Sequence, residues 1–188
     1  MQGKLRFSML LAAASVWCAG ARAQMMVHAV TGVVKSINSP STMEVAVEGG
    51  TTSEFNLSNK NVSLDFDNNL RADSVDASKF NHVGDFVVVY YYGFDSDQTA
   101  VAVKDLGAGP YKKVDGTVVN FDKHDRTMTI KDSAGKTEQI ALSDHLVVDS
   151  GLKVQSGRTY DPEKGAQVRV TYTTAGAKNT AVFLRSWE

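Results

Sequence analysis

Thr31-Gly32-Val33-Val34-Lys35-Ser36-Ile37 and Asp115-Gly116-Thr117-Val118-Val119-Asn120-Phe121 are two versions of one segment, 84 residues apart. The echo continues in order along the chain. Thr42-Met43-Glu44-Val45 returns as Thr127-Met128-Thr129-Ile130 at an offset of 85, and Val62-Ser63-Leu64-Asp65 returns as Leu146-Val147-Val148-Asp149 at 84. Thr99-Ala100-Val101 returns as Thr180-Ala181-Val182 at 81. Offsets that keep their order and stay this close mark an internal duplication with small loop changes.

Within each copy the hydrophobic period is two, the signature of strands. Met43, Val45 and Val47 alternate with Glu44 and Ala46, and Met128 and Ile130 with Thr129 and Lys131. Phe55 and Leu57 have their counterparts in Ile140 and Leu142. Turn chemistry at Asn38-Ser39-Pro40, Gly49-Gly50, Ser133-Ala134-Gly135 and Ala175-Gly176 separates the runs. The best place for a short helix is Ala72 to Phe80. Five or six short strands in each copy predict an all-β fold of two tandem small barrels, closed so that no strand edge is left to template aggregation. The expected domains are 24–106 and 112–188, joined by a linker at 107–111.

The carrying pattern of each copy is an opening G-x-V, a T-M-x-V/I strand, a V-G-D-x-V-x-V-x-Y run and a closing T-A-V. The run reads Val83-Gly84-Asp85-Phe86-Val87-Val88-Val89-Tyr90-Tyr91 in the first copy. In the second it reads Lys164-Gly165-Ala166-Gln167-Val168-Arg169-Val170-Thr171-Tyr172, which departs at the first and third positions. On these residues each copy resembles the exported OB-like small-barrel domains of bacterial proteins. The resemblance implies an OB-like small barrel and no particular activity, because such barrels host many unrelated functions.

Residues 1–23 read as a secretory signal peptide. Lys4 and Arg6 precede a mostly apolar run from Phe7 to Gly20, and Ala21-Arg22-Ala23 supplies an A-x-A cleavage signal. The run is shorter than the roughly 20 apolar residues of a spanning helix. The lone Cys18 lies in this segment, so the mature chain from Gln24 has no cysteine, which suits an oxidising compartment. A periplasmic or secreted protein without a membrane span in its mature chain is expected.

Nucleophile elbows, H-E-x-x-H and phosphate-binding loops are absent from the sequence, and His28, His82, His124 and His145 are isolated along it. These features predict a non-enzyme that works without a cofactor. From Gln24 to Ala108 there are 5 Lys and Arg against 11 Asp and Glu, and from Gly109 to Glu188 there are 12 against 10. An acidic first copy does not suit a nucleic-acid groove, which needs basic charge and stacking aromatics. Asp65-Phe66-Asp67-Asn68-Asn69 begins like a calcium loop, but Leu70 replaces the required glycine. Met25, Met26 and His28 gather soft thioethers and an imidazole, a donor set suited to Cu(I), so a periplasmic copper carrier is the alternative function.

The leading functional clue is one strand. Val87, Val89 and Tyr91 match Val168, Val170 and Tyr172 at an offset of 81, so this face is the barrel core in both copies. On the other face the second copy has Gln167, Arg169 and Thr171, whereas the first has Phe86, Val88 and Tyr90, followed by Tyr92. A strand apolar on both sides must be covered on both. The cover is either the second barrel with the linker around Pro110 and Tyr111, or a docked partner. The functional expectation takes the second option: a binding or assembly module whose Phe86, Val88, Tyr90 and Tyr92 meet an envelope protein or small ligand.

Overall fold

The computed structural model describes residues 26–38, 42–57 and 67–187. Their strands are β1 (His28–Asn38), β2 (Thr42–Val47), β3 (Thr52–Leu57), β4 (Val75–Asp76), β5 (Phe86–Tyr92) and β6 (Thr99–Asp105) in the first half. The second half has β7 (Lys112–Asp122), β8 (Thr127–Lys131), β9 (Thr137–Asp149), β10 (Val154–Ser156), β11 (Gln167–Ala175) and β12 (Lys178–Trp187). The fold is all-β, and each half is a small barrel of five main strands.

In the first half the ladders run β3-β2-β1-β5-β6, and a short parallel ladder of Asn56 with Thr99 and Leu57 with Ala100 closes the ring. In the second they run β9-β12-β11-β7-β8, closed by five antiparallel pairs between β8 and β9. The rings share one connectivity: a three-strand meander, then a crossover to two further strands, the last lying parallel to the third. This is a Greek-key arrangement closed into a small barrel.

The duplication extends to the irregularities. The β1–β2 ladder shifts register between Val34 and Ser36, and β7–β8 shifts between Val118 and Asn120, the same place 84 residues on. The β5–β6 ladder shifts between Tyr90 and Tyr91, and β11–β12 between Thr171 and Tyr172. Bulges re-aim a strand and increase its twist, so the same pair of bulges bends both sheets round on themselves. Gly32 and Gly116 serve the same bend. A Cβ at Gly32 would lie 2.4 Å from the Ala46 carbonyl oxygen, and one at Gly116 would lie 2.4 Å from that of Lys131.

Each barrel encloses its own core. Val34, Met43, Val45, Phe55, Val87 and Val89 fill the first; Val118, Met128, Ile130, Ile140, Val168 and Val170 fill the second. Met43 and Met128 are thus core residues, as their place on the inward stripe predicts. The helix expected at Ala72 to Phe80 is displaced. One turn of α-helix, α1 (Asn68–Ala72), starts earlier because the Asp67 carboxylate caps it by accepting from the Asn69 N–H. Val75 and Asp76 instead pair with β6, and only a 3-10 turn at Ala77–Lys79 remains of the expected segment.

Gly32→Ala and Gly116→Ala should each lower stability by about 1–3 kcal/mol, the range for forcing an extra carbon into a filled space. Urea denaturation checks this, with a substitution at an exposed strand position as the reference.

Candidate functional site

The outward face of β5 is buried between the two barrels. Val88 and Tyr90 are fully buried and belong to a third apolar cluster, separate from both barrel cores. Val27 and Ala29 from the start of β1, Leu70 of α1 and Ala102 of β6 join them from the first half. Val147 of β9, Val154 of β10 and Phe183 of β12 come from the second, and Tyr92 packs at the margin. Phe86 is covered by the linker: its ring stacks on Tyr111 with centroids 4.5 Å apart, and the Tyr111 hydroxyl donates to the Leu106 carbonyl.

This corrects the docking expectation. Phe86, Val88 and Tyr90 have no surface to offer a partner, because the second barrel and the linker already cover the face. The complementary half of the seam has its own sequence signal, the unbroken apolar runs Leu146-Val147-Val148 and Ala181-Val182-Phe183-Leu184. In each run one set of side chains faces the barrel core, as Leu146, Val148 and Leu184 do, while Val147 and Phe183 face the seam.

Polar clamps surround the apolar seam. In the first, the Asp149 carboxylate of β9, itself buried, accepts from the Ala29 N–H at 3.0 Å, and Arg185 Nη2 of β12 donates to the Ala29 carbonyl at 2.8 Å. The second barrel therefore holds both main-chain groups of one β1 residue. In the second clamp, Lys104 Nζ donates to the His145 carbonyl at 2.6 Å, and His145 Nδ1 lies 2.6 Å from Asp73 Oδ2. Asp67 adds to this side by accepting from the Ser156 N–H at 3.1 Å. In the third, Glu48 accepts from Thr31 Oγ1 at 2.7 Å and Thr171 Oγ1 at 2.9 Å, with Lys113 Nζ at 3.3 Å. Thr171, expected to face water, is buried by this contact.

The clamps perturb their groups in understandable ways. The hydrogen bond with His145 holds the Asp73 carboxyl below the usual carboxylate range, against an opposing effect of burial. Burial pulls the Lys104 ammonium down, partly offset by Asp73. His145 sits within β9 as a joint between the barrels.

A cleft of about 560 Å³ opens where the first clamp meets the surface. It is lined by His28, Tyr91, Asp149, Ser150, Leu152, Arg185 and Trp187, drawn from β1, β5, β9, β12 and the loop after β9. Leu152 and Trp187 are exposed, and so are Phe94 and Met26 nearby in the chain. The His28 ring lies 5.8 Å from that of Tyr91 and 6.2 Å from that of Phe94. Burial pushes the Tyr91 hydroxyl up, so it stays a neutral donor at physiological pH.

Of the residues singled out for metal binding, His28 lines this cleft and Met26 is exposed beside it, while Met25 lies outside the described residues. A second donor cluster, His82, Asp85 and Asp105, places its ligand atoms within 4.8 Å of one another. There the Asp105 hydrogen bond, 2.8 Å long, raises the His82 pKa and ties the loop before β5 to the end of β6. Among the described residues no helix is long and apolar enough to cross a membrane. The chain matches no protein-family model and no curated protein.

Two outcomes test this geometry. The double substitution Phe86→Ser and Tyr90→Ser should cost at least about 3 kcal/mol in chemical denaturation, as deleting buried aromatic side chains does. For Asp73→Asn the sign follows from the depressed folded-state pKa. The carboxylate supports folding above its ordinary value of about 3.9, and the support is lost as pH falls through the lower folded value. The gap in urea midpoint between the parent and Asp73→Asn should therefore be largest above about pH 4 and close in stronger acid.

Proposed function

We propose that this chain is an exported, non-catalytic binding module in which two OB-like barrels act as one body and the cleft at the end of their seam is the recognition surface. The observation that carries the reading is the lining of that cleft. Aromatic and aliphatic side chains, His28, Tyr91, Leu152 and Trp187, surround one buried carboxylate and one guanidinium that are held in place by the Ala29 backbone. A concave, mostly apolar site with a few convergent polar groups, built at a junction of two domains, is the general form of a ligand site. Export follows from the signal-peptide pattern at 1–23. The binding rather than catalytic character is supported by what the histidines do: His82 and His145 are hydrogen-bonded to Asp105 and Asp73 and so tie segments together, and His28 packs among aromatic rings.

A copper-carrier reading draws on one further observation. Val27 and Ala29 are buried, so Met26 and His28 fall together on the opposite side of an extended chain, where a thioether and an imidazole can reach one soft ion.

Amide-resolved NMR with a library of small fragments separates the readings. Hits should shift the signals of His28, Tyr91, Gly151 and Trp187, and Leu152→Asp should abolish those shifts without moving the denaturation midpoint. Hits confined to other surfaces would remove the cleft from consideration. One equivalent of Cu(I) retained by the parent and lost in His28→Ala would favour the carrier.

A further inference from the structure

The ligand's chemistry can be read from what the cleft has left to offer. The carboxylate on its floor already accepts hydrogen bonds from the protein. Asp149 Oδ2 takes the Ala29 N–H and lies 3.4 Å from Arg185 Nη2, while Oδ1 takes the Gly151 N–H at 2.8 Å. The Ser150 hydroxyl is turned to the Lys153 carbonyl. The donors are only partly used. Arg185 engages the Ala29 carbonyl and Asp149 through Nη2 and is hydrogen-bonded to Tyr91, yet about a third of its side chain is exposed. The exposed part of its guanidinium, next to the Tyr91 hydroxyl, faces the cleft and can meet a ligand. Around it stand the apolar and aromatic surfaces of Tyr91, Leu152 and Trp187.

Resting on the reading of the cleft as the recognition site, we infer that it takes a small amphiphilic acid: a carboxylate seated on the exposed guanidinium of Arg185, with an apolar body against Leu152 and Trp187. A planar fork of N–H donors matches the two oxygens of a carboxylate, and such charge-assisted pairs are the strong hydrogen bonds of proteins. A cationic ligand would meet the exposed guanidinium as a like charge. A bare inorganic anion would leave the aromatic and aliphatic lining wet, so the apolar body is as much a part of the match as the head group. The volume suits a molecule of this kind, since sites for small ligands run from about 300 to 1,000 Å³.

Octanoate is the probe, compared with 1-octanol, octylamine and acetate, which remove the charge, reverse it, or remove the apolar body. Binding is read by calorimetry on the full chain and by Trp187 fluorescence in a Trp17→Phe background, where Trp187 is the sole indole. Octanoate should bind at least about ten-fold tighter than octanol or octylamine, and acetate far more weakly than octanoate. Arg185→Lys keeps the charge beside Asp149 but loses the planar fork. It should reduce octanoate binding to the level of octanol while leaving octanol unchanged.

Equal binding of acid and alcohol by the parent overturns the inference, and so does failure of octanoate to bind. The parent comparison decides by itself should Arg185→Lys prove unstable. If fragments still map to His28 and Trp187 while octanoate shows no advantage, only the acid assignment falls. If fragments map elsewhere, the cleft falls with it.

Discussion

A β-strand can expose one face to water at little cost, but β5 has apolar side chains on both faces, and everything else in the molecule answers that demand. Val87 and Val89 fill the first barrel, so Val88 and Tyr90 must find a second cover. Burying side chains of this size is worth about 1.5–3 kcal/mol each, and leaving them wet would invite association with other chains. A small barrel is a marginal structure by itself, because too little of its surface is buried. By supplying the cover, the second barrel turns two marginal units into one body with three apolar clusters.

The polar frame round that seam fixes how the barrels meet. Apolar burial has no direction, so Val147 and Phe183 alone could slide over Val88 and Tyr90. Asp149, Glu48 and Asp73 prevent this, because each is a buried or half-buried carboxylate whose partners lie on the other barrel or beside it. A buried carboxylate deprived of its partners is costly, so each contact penalises any other alignment. The cleft is a by-product of this frame. Arg185 and Asp149 are held rigidly enough to define a site because they are also holding Ala29.

The fold was legible because repetition and period two are local signals. The offsets between Gly32 and Gly116, or Met43 and Met128, carry through to matching bulges and cores. The two-sidedness of β5 was also legible, and comparing Phe86, Val88 and Tyr90 with Gln167, Arg169 and Thr171 isolated the face that matters. What lay beyond reach was the identity of the cover. Val147 and Phe183 stand about 60 and 90 residues further along the chain, and the period of a strand says which side a residue faces but not what it meets. The cleft was hidden for the same reason: His28, Tyr91, Asp149 and Trp187 come from four strands, and no spacing in the sequence joins them.

The seam joins unlike surfaces. The first copy gives the face of its fourth barrel strand, β5, and the second gives the faces of its third and fifth, β9 and β12. Contacts of this head-to-tail kind do not close by themselves, and repetition of the same contact would string barrels into an open polymer. The second copy does not present that face again. Where β5 is apolar, β11 carries Gln167, Arg169 and Thr171, with Arg169 locked to Asp115 by two bonds of 2.6 and 2.7 Å and Thr171 committed to Glu48. One sticky face is thereby consumed, while its counterpart in the second copy is polar and satisfied by hydrogen bonds.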